Sequence, residues 1–355
     1  MGETMATAVT VQDYCYPSHT GEGVIQARLY RPAQPVNQHH AETIQAVGRQ
    51  QALPMVQIIH GMAEHMQRYD PFCRYLAGLG FTVCIQDLAG HGLSAAAEER
   101  LGCFGELDSV EQILDDIQET LDQARSILAQ DQTGPLPDGW ILLGHSMGSF
   151  IARVFCTRPQ PDLKAAIFSG TAGPNPAYNL GILLANLSIK TRGPLYRDPF
   201  LARLTAGNNL KRLKPARTPY DWLTRDDQIV DAYIADPWCG YDFTAAGYRD
   251  LFTLMKRMSH AGWAGSLPES LPILLVSGEE DPIGDFGKGP KAVHRSLLSC
   301  GRQAFLKLYA GGRHEMLNEI NRDEVWQDLA EWMRNPSGKL DDGLALRQQQ
   351  VGVEN

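Results

Sequence analysis

The chain has 355 residues, of which 43% are hydrophobic and 21% charged, a composition typical of a soluble globular protein with a large core. Its formal net charge of -9 at pH 7 argues against a nucleic-acid-binding protein, because those proteins usually carry a basic patch or stripe. Seven scattered cysteines without a CxxC pair predict neither a disulfide framework nor a metal site.

The N-terminal residues show neither a basic region nor an apolar run of the kind that begins a secretory signal, and no apolar run along the chain reaches the length needed to span a bilayer. We therefore expect a reducing, cytoplasmic location. Residues 7–31 predict two strands around a turn. The polar stretch at 33–52 predicts an exposed loop.

From residue 54 onward, short apolar runs alternate with segments of helical periodicity. Strands are predicted at 54–60, 81–87, 140–145, 163–170, 272–278 and 304–311, and helices at 69–80, 108–129, 147–158, 288–299 and 322–334. The strands are continuous apolar runs, which is expected when helices cover both faces of a mostly parallel sheet. The sequence predicts a doubly wound α/β core.

The alternation stops between Gly170 and about Leu271, where prolines and helical patterns such as 248–258 replace it. This segment predicts a helical cap, or lid, inserted into the core. The expected organisation is a core of residues 1–170 and 271–337, a cap of residues 171–270 and a C-terminal tail of residues 338–355.

Ser146 lies in the sequence GHSMG, a G-x-S-x-G pattern between a predicted strand and a predicted helix. A turn this tight strains the serine backbone and requires glycine at positions 144 and 148, where side chains would collide. It also presents the hydroxyl above the sheet beside the N-terminus of the next helix. We expect Ser146 to be a nucleophile; the simpler interpretation is a glycine-flanked turn with an incidental serine.

A nucleophilic serine needs a base, which in turn needs a carboxylate to orient it. In a strand–serine–helix fold these groups follow later strands, in the order serine, acid, histidine. His314 follows the strand at 304–311 and is the expected base. Asp281 follows the strand at 272–278 and is the expected acid, with Asp285 as the next candidate.

Two backbone N–H groups are expected to stabilise the oxyanion. One belongs to Met147, directly after the serine. The other belongs to Met62, in the loop after the strand at 54–60, although Met62 could equally be an ordinary loop hydrophobe.

Five segments in order, HGMAEHMQRY, DLAGHGLS, GHSMGS, GEEDPIGD and YAGGRHEMLNE, resemble the motifs of the monoacylglycerol lipase and lysophospholipase group of α/β-hydrolases, and they span residues 55–334. The resemblance implies an α/β-hydrolase fold, with a mostly parallel eight-stranded sheet flanked by helices, and a serine carboxylic-ester hydrolase that needs no cofactor and no metal. It maps nucleophile, acid and base to Ser146, Asp281 and His314. It also implies a small-molecule ester substrate, of the single-chain lipid class.

The same resemblance makes Glu64 and Arg68 candidate polar contacts on the alcohol side of the site, with a structural ion pair between them as the equal alternative. A leucine stripe in the predicted cap has three interpretations: packing, which such stripes more often indicate, an acyl-chain site, or transient contact with a membrane surface. The stripe consists of Leu180, Leu183, Leu184 and Leu187.

Three other functions remain open from the residues. The first is a short-chain or aryl carboxylesterase. The second is an iminopeptidase or amidase on the same core, which would need a cap carboxylate to bind the substrate amine; Asp226, Asp227 and Asp236 are available. The third is a non-catalytic ligand-binding relative, which the complete set of serine, acid and histidine argues against. The oligomeric state is not predicted.

Overall fold

The computed structural model describes residues 8–33, 52–131, 136–206, 209–210, 212–213 and 215–336. The predicted loop at 33–52, apart from its first and last residues, and the predicted tail at 338–355 lie outside these ranges. All seven cysteines lie within them as free thiols. The cytoplasmic location stays a prediction.

An eight-stranded sheet forms the centre of the molecule, in the strand order β1-β2-β4-β3-β5-β6-β7-β8. The β1–β2 and β2–β4 pairs are antiparallel, and the remaining neighbours are parallel. The mostly parallel sheet is confirmed. The strands are β1 Val9–Pro17, β2 Val24–Pro32, β3 Met55–Ile59, β4 Val83–Gln86, β5 Trp140–His145, β6 Leu163–Ser169, β7 Ile273–Gly278 and β8 Ala304–Tyr309.

Helices cover both faces of this sheet, as the continuous apolar strands predict. The helices are α1 Asp70–Gly78, α2 Val110–Asp131, α3 Met147–Phe155, α4 Tyr178–Arg192, α5 Pro199–Ala206, α6 Asp227–Ala235, α7 Ala245–Met258, α8 Trp263–Ser266, α9 Lys288–Ser299 and α10 Arg322–Arg334. Each helix predicted between 54 and 334 is present, with ends shifted by a few residues.

The core consists of two apolar clusters, one on each face of the sheet. Successive residues of a strand point to opposite faces, so Val56 and Ile58 of β3 join one cluster while Met55 and Ile59 join the other. Helices α1 and α10 pack on the first face, and α2, α3 and α7 pack on the second. This arrangement leaves the carboxyl ends of the parallel strands to carry functional loops.

The helical segment (residues 171–270) connects β6 to β7, and its described residues form helices α4 to α8 without a strand. No helix in the described ranges is both long and apolar enough to cross a membrane. The division into core and cap at residues 170 and 271 remains a prediction.

Helix α4 buries small side chains rather than its leucines. Gly181, Ala185 and Ser188 face inward, and a Cβ on Gly181 would lie 2.7 Å from the Phe252 ring of α7. Close approach of α7 therefore selects small residues on this face. The opposite face exposes Leu180, Leu183 and Leu187 by 54%, 64% and 56%. Packing, the favoured interpretation of the stripe, is wrong for these three; only Leu184 is half-buried and packs on the core.

Candidate active site

Ser146 lies at the junction of β5 and α3 with φ 52° and ψ -121°, a conformation that residues other than glycine rarely adopt. Its N–H donates to the Ser169 carbonyl at 2.9 Å, and its own carbonyl accepts from the Ser149 N–H at 2.8 Å. These bonds to β6 and to the first turn of α3 hold the strained residue in place. The hydroxyl-bearing side chain faces a cavity above the sheet.

The two glycines of the turn are required by close backbone approach. A Cβ at Gly144 would lie 2.3 Å from the Gly148 carbonyl oxygen, and a Cβ at Gly148 would lie 2.2 Å from the Ile59 carbonyl oxygen. Neither neighbour is a flexible side chain, so neither can move aside easily. The turn therefore needs glycine at both positions, for the reason expected from the sequence.

Asp281 and His314 form a buried pair at the carboxyl ends of β7 and β8. His314 Nδ1 lies 2.9 Å from Asp281 Oδ1, and the two residues are 2% and 0% exposed. Asp281 also accepts hydrogen bonds from the Ile283 N–H at 2.9 Å and the Ser277 hydroxyl at 3.3 Å. These contacts fix the carboxylate against the imidazole, and His314 faces the same cavity as Ser146.

The electrostatics of this pair suit a proton acceptor. Burial alone would lower the pKa of His314, but the negative charges of Asp281, Glu315 and Glu64 outweigh it and raise that pKa. Burial alone would raise the pKa of Asp281, and the neighbouring His314 instead holds it below its usual value. With Nδ1–H donated to Asp281, His314 Nε2 is left to accept a proton.

Three other buried histidines lie in loops and at strand ends, and Asp285 is the other candidate acid; none of them matches the Asp281–His314 pair. Burial lowers the pKa of His60 and His91 to about 3 and that of His145 to about 4, so all three are neutral near pH 7. Asp285 lines the cavity, but its side chain is 65% exposed and pairs with Lys288 at 3.3 Å. Asp281, and not Asp285, is the carboxylate against His314.

Met62 and Met147 both line the cavity next to Ser146. Met147 is the first residue of α3, where helix N–H groups have no partner within the helix. Met62 lies in a loop whose next residue, Ala63, has φ 51°. The Ala63 carbonyl accepts hydrogen bonds from the Gly240 N–H at 3.0 Å and the Tyr233 hydroxyl at 3.1 Å. The helical segment thus holds this loop in its strained form.

Arg68 joins the Met62 loop to the His314 loop through two carboxylates. Its guanidinium pairs with Glu64 and makes two hydrogen bonds to Glu315, at 2.8 and 2.7 Å. Glu64 also accepts from the Gly61 N–H and from the Tyr69 hydroxyl. Glu64 and Glu315 line the cavity, whereas Arg68 is not among its lining residues. Arg68 therefore forms a structural ion pair with Glu64, which was the alternative to a contact with the substrate.

The cavity has a volume of about 1020 Å³ and lies between the sheet and the helical segment. Leu180, Leu183, Leu184 and Leu187 are not among its lining residues. Apolar lining comes instead from Phe150, Tyr178, Leu204, Leu210, Leu251, Phe252, Met255, Ile283 and Phe286.

Sequence reasoning missed Trp222 and Glu315, which both line the cavity. The Trp222 ring lies 5.1 Å from the His314 ring, between centroids. Glu315 had a signal in the sequence, because it directly follows His314. Trp222 had none, since its contact with His314 depends on how the helical segment folds back over the core.

His65, Asp236 and Cys239 bring three donor atoms within 4.8 Å of one another, a grouping that could hold a metal ion and that the sequence did not predict. His65 Nε2 and Asp236 Oδ2 already lie 2.8 Å apart. Asp236 Oδ1 accepts from the Trp238 N–H at 2.8 Å. These hydrogen bonds tie the helical segment to the loop carrying Met62.

Known proteins that this chain resembles include lipases and a carboxyl esterase. Residues 50–321 match the serine aminopeptidase S33 family. A monoacylglycerol lipase from Mycolicibacterium smegmatis is 28% identical over 289 residues, covering 79% of this chain and 87% of the relative. A thermostable carboxyl esterase from Bacillus coagulans, solved in complex with glycerol, superposes with a TM-score of 0.78 at 25% identity, covering 91% of this chain and 98% of that one. A lipase in an open form superposes at 0.77 and 29% identity, covering 93% and 100%.

Proposed function

The chain belongs to the serine aminopeptidase S33 family and is a serine ester hydrolase, and we propose that it cleaves single-chain lipid esters through Ser146, Asp281 and His314. Monoacylglycerols and lysophospholipid-like esters are the proposed substrates. The observation that carries this proposal is the buried Asp281–His314 pair, which faces the same cavity as the strained serine turn.

The proposed reaction has two steps. The Ser146 oxygen attacks the ester carbonyl carbon, its proton passes to His314 Nε2, and the carbonyl electron pair moves to the oxygen. The N–H groups of Met62 and Met147 stabilise that oxyanion. When the intermediate collapses, the alcohol leaves with the proton from His314 and an acyl-enzyme remains. Water, activated by His314, then releases the acid and restores Ser146.

The lining of the cavity supports an apolar acyl chain. Most of its side chains away from His314 are aliphatic or aromatic, among them Leu251, Phe252 and Met255. Each methylene group buried there contributes about 0.8 kcal/mol. The M. smegmatis relative is named a monoacylglycerol lipase, and the B. coagulans esterase was solved with glycerol, which accords with a small polyol alcohol.

A series of p-nitrophenyl esters from two to sixteen carbons, measured beside monoacylglycerol and a lysophospholipid, tests the substrate class. We expect kcat/KM to rise with chain length until the cavity is filled, and turnover of at least one of the two lipids. A maximum at two to four carbons, with neither lipid hydrolysed, would instead support the short-chain or aryl carboxylesterase alternative.

The carboxylates considered for an amidase have other partners in the structure. Asp226 accepts from the Gln228 N–H at 3.1 Å and pairs with Arg322 at 3.0 Å, and Asp236 pairs with His65. Asp227 lies near Arg217. Among the residues described as lining the cavity, none of these three aspartates appears. The contacts of these three aspartates therefore do not favour an amidase over an ester hydrolase.

We also propose that helices α4 and α5 touch a lipid surface to collect substrate. Exposed apolar side chains cluster on these two helices, and one of them, Leu204, also lines the cavity. The exposed side chains are Leu180, Leu183, Leu187, Phe200 and Leu204. Apolar area of this kind binds at the interface without needing anionic lipid, which suits a chain with net charge -9.

A further inference from the structure

Three buried charged residues form a group next to His314. They are Glu64, Arg68 and Glu315, here named the anionic corner. Their side chains are 4%, 10% and 5% exposed. Two carboxylates share one guanidinium, so the group carries a net charge of -1 if both carboxylates are ionised. Only the negative members of the group line the cavity: Glu64 and Glu315 are lining residues, and Arg68 is not.

Both carboxylates remain ionised. Burial alone would raise the pKa of Glu64 and of Glu315, but the Arg68 guanidinium outweighs burial and holds both below their usual value. Burial keeps His60 and His145 neutral, so these two histidines give no compensating charge. The same negative charge raises the pKa of His314, but His314 must be neutral to act as the base. In the active protonation state the excess negative charge therefore stands beside the cavity without a cation of its own.

Three aromatic side chains, Tyr220, Trp222 and Tyr241, line the same cavity as Glu64 and Glu315 and are named here the aromatic wall. The Glu315 N–H donates to the Leu223 carbonyl at 2.7 Å, which places Glu315 next to Trp222 in space. The Tyr220 ring lies 5.1 Å from the Tyr233 ring, whose face is already covered by Arg68. Aromatic faces and a buried negative charge together are the chemistry that binds quaternary ammonium groups.

The position of the corner identifies which half of the ester it would meet. In the proposed reaction His314 gives its proton to the leaving alcohol, so that alcohol departs beside His314. Glu315 directly follows His314, and Glu64 lies in the loop of Met62. The acyl chain is left to the apolar lining contributed by α7.

The rest of the described lining does not offset this charge. Its other charged side chains are Asp242, Asp285 and Lys288, and the lysine pairs with Asp285 at 3.3 Å in an exposed position. The described lining thus contains four carboxylates and one lysine.

We propose that the alcohol half of the preferred ester carries a cationic group of the quaternary ammonium type, bound between the anionic corner and the aromatic wall. This proposal rests on the proposed ester hydrolysis and narrows its substrate class. A choline ester and a lysophosphatidylcholine both present this chemistry, and the second adds a phosphate.

The main test compares two esters that differ only in this charge. Hexanoylcholine and 3,3-dimethylbutyl hexanoate have the same shape, because a carbon replaces the ammonium nitrogen. At low ionic strength we expect kcat/KM to favour hexanoylcholine by about tenfold, the size of a moderate cation–π and charge contact. A second pair consists of lysophosphatidylcholine and lysophosphatidylglycerol with the same acyl chain. It tests whether a choline group linked through a phosphate is also accepted.

Glu315→Gln removes the excess charge, and the preference is expected to fall towards equality, whereas Glu269→Gln, a carboxylate 91% exposed outside the cavity, keeps it. Choline chloride should also inhibit hydrolysis of the neutral ester by the unaltered protein more strongly than 3,3-dimethylbutanol does, a measurement independent of any variant. Equal kcat/KM within both pairs, or equal inhibition by the two alcohols, would overturn the proposal. Hydrolysis of the neutral ester in those same experiments would leave the proposed ester hydrolysis standing.

Discussion

His314 is almost fully buried and has a raised pKa, so its titration should appear in the pH profile of the activity. A general base must be neutral to accept a proton, so activity should be lost as pH falls through the pKa of His314. Because Asp281 and the nearby glutamates raise that pKa, the acidic limb of kcat/KM is expected above pH 6.5, the ordinary value for histidine.

Asp281→Asn tests whether the Asp281 carboxylate is the main cause of the raised pKa of His314. Without the carboxylate, burial dominates, and the acidic limb should move to lower pH. The plateau rate should fall by roughly 10⁴-fold, because the imidazole loses its oriented tautomer. The measurement is kcat/KM of a p-nitrophenyl ester from pH 5 to 9. Asp285→Asn, in the same loop but paired with Lys288, should leave the midpoint in place. An unchanged midpoint in Asp281→Asn would contradict the assignment of the acid.

Gly148 allows the tight turn at Ser146, because its hydrogen atom fits where a methyl group would collide with the backbone. In Gly148→Ala the new methyl would meet the Ile59 carbonyl at 2.2 Å, and β3 would have to shift. We expect the free energy of unfolding in urea to fall by about 1–3 kcal/mol. Gly78→Ala is the control, because a Cβ there meets nothing within 4 Å. Equal stability of both variants would show that the turn tolerates a side chain.

At the scale of elements, helix α4 is inverted with respect to the usual amphipathic pattern. Its buried face carries Gly181, Ala185 and Ser188, while Leu180, Leu183 and Leu187 face outward. The close contact with α7 explains the small residues. The outward leucines are the basis for the proposed contact with a lipid surface.

Replacing Leu183 and Leu187 by aspartate tests that contact. A leucine transferred from water to an apolar phase contributes about 1.5–3 kcal/mol, so the double variant should bind neutral phosphatidylcholine vesicles at least about tenfold more weakly. Sedimentation with vesicles gives the partition coefficient. The matched control is Leu298→Asp, which is 50% exposed on α9 and should bind as the unaltered protein does. Equal partitioning of the double variant would remove α4 from the proposal.

At the scale of the whole molecule, the sheet and the placement of Ser146, Asp281 and His314 after strands were predictable, because they follow from local patterns and chain order. Each strand is a short apolar run, and Ser146, Asp281 and His314 each follow one. The parallel sheet brings all such ends to one edge, so no knowledge of side-chain contacts was needed.

Contacts between distant segments were not predictable in the same way. The leucine stripe of α4 defines a helical face, but periodicity does not say whether that face meets the core or the solvent. Trp222 reaches His314, and Arg68 reaches Glu315, only because the helical segment and two core loops converge above the sheet. These contacts shape the part of the cavity next to His314, which is why the sequence indicated ester hydrolysis more closely than it indicated the substrate.

The central claim is that Ser146 carries the acyl group, and labelling with a fluorophosphonate tests it most directly. Intact-mass measurement should show one adduct per chain, peptide mapping should place it on Ser146, and ester hydrolysis should fall in proportion to labelling. Ser146→Ala should take no adduct and lose at least about 10⁴-fold in kcat. An unlabelled protein, an adduct on another residue, or near-normal ester turnover by Ser146→Ala would contradict the account.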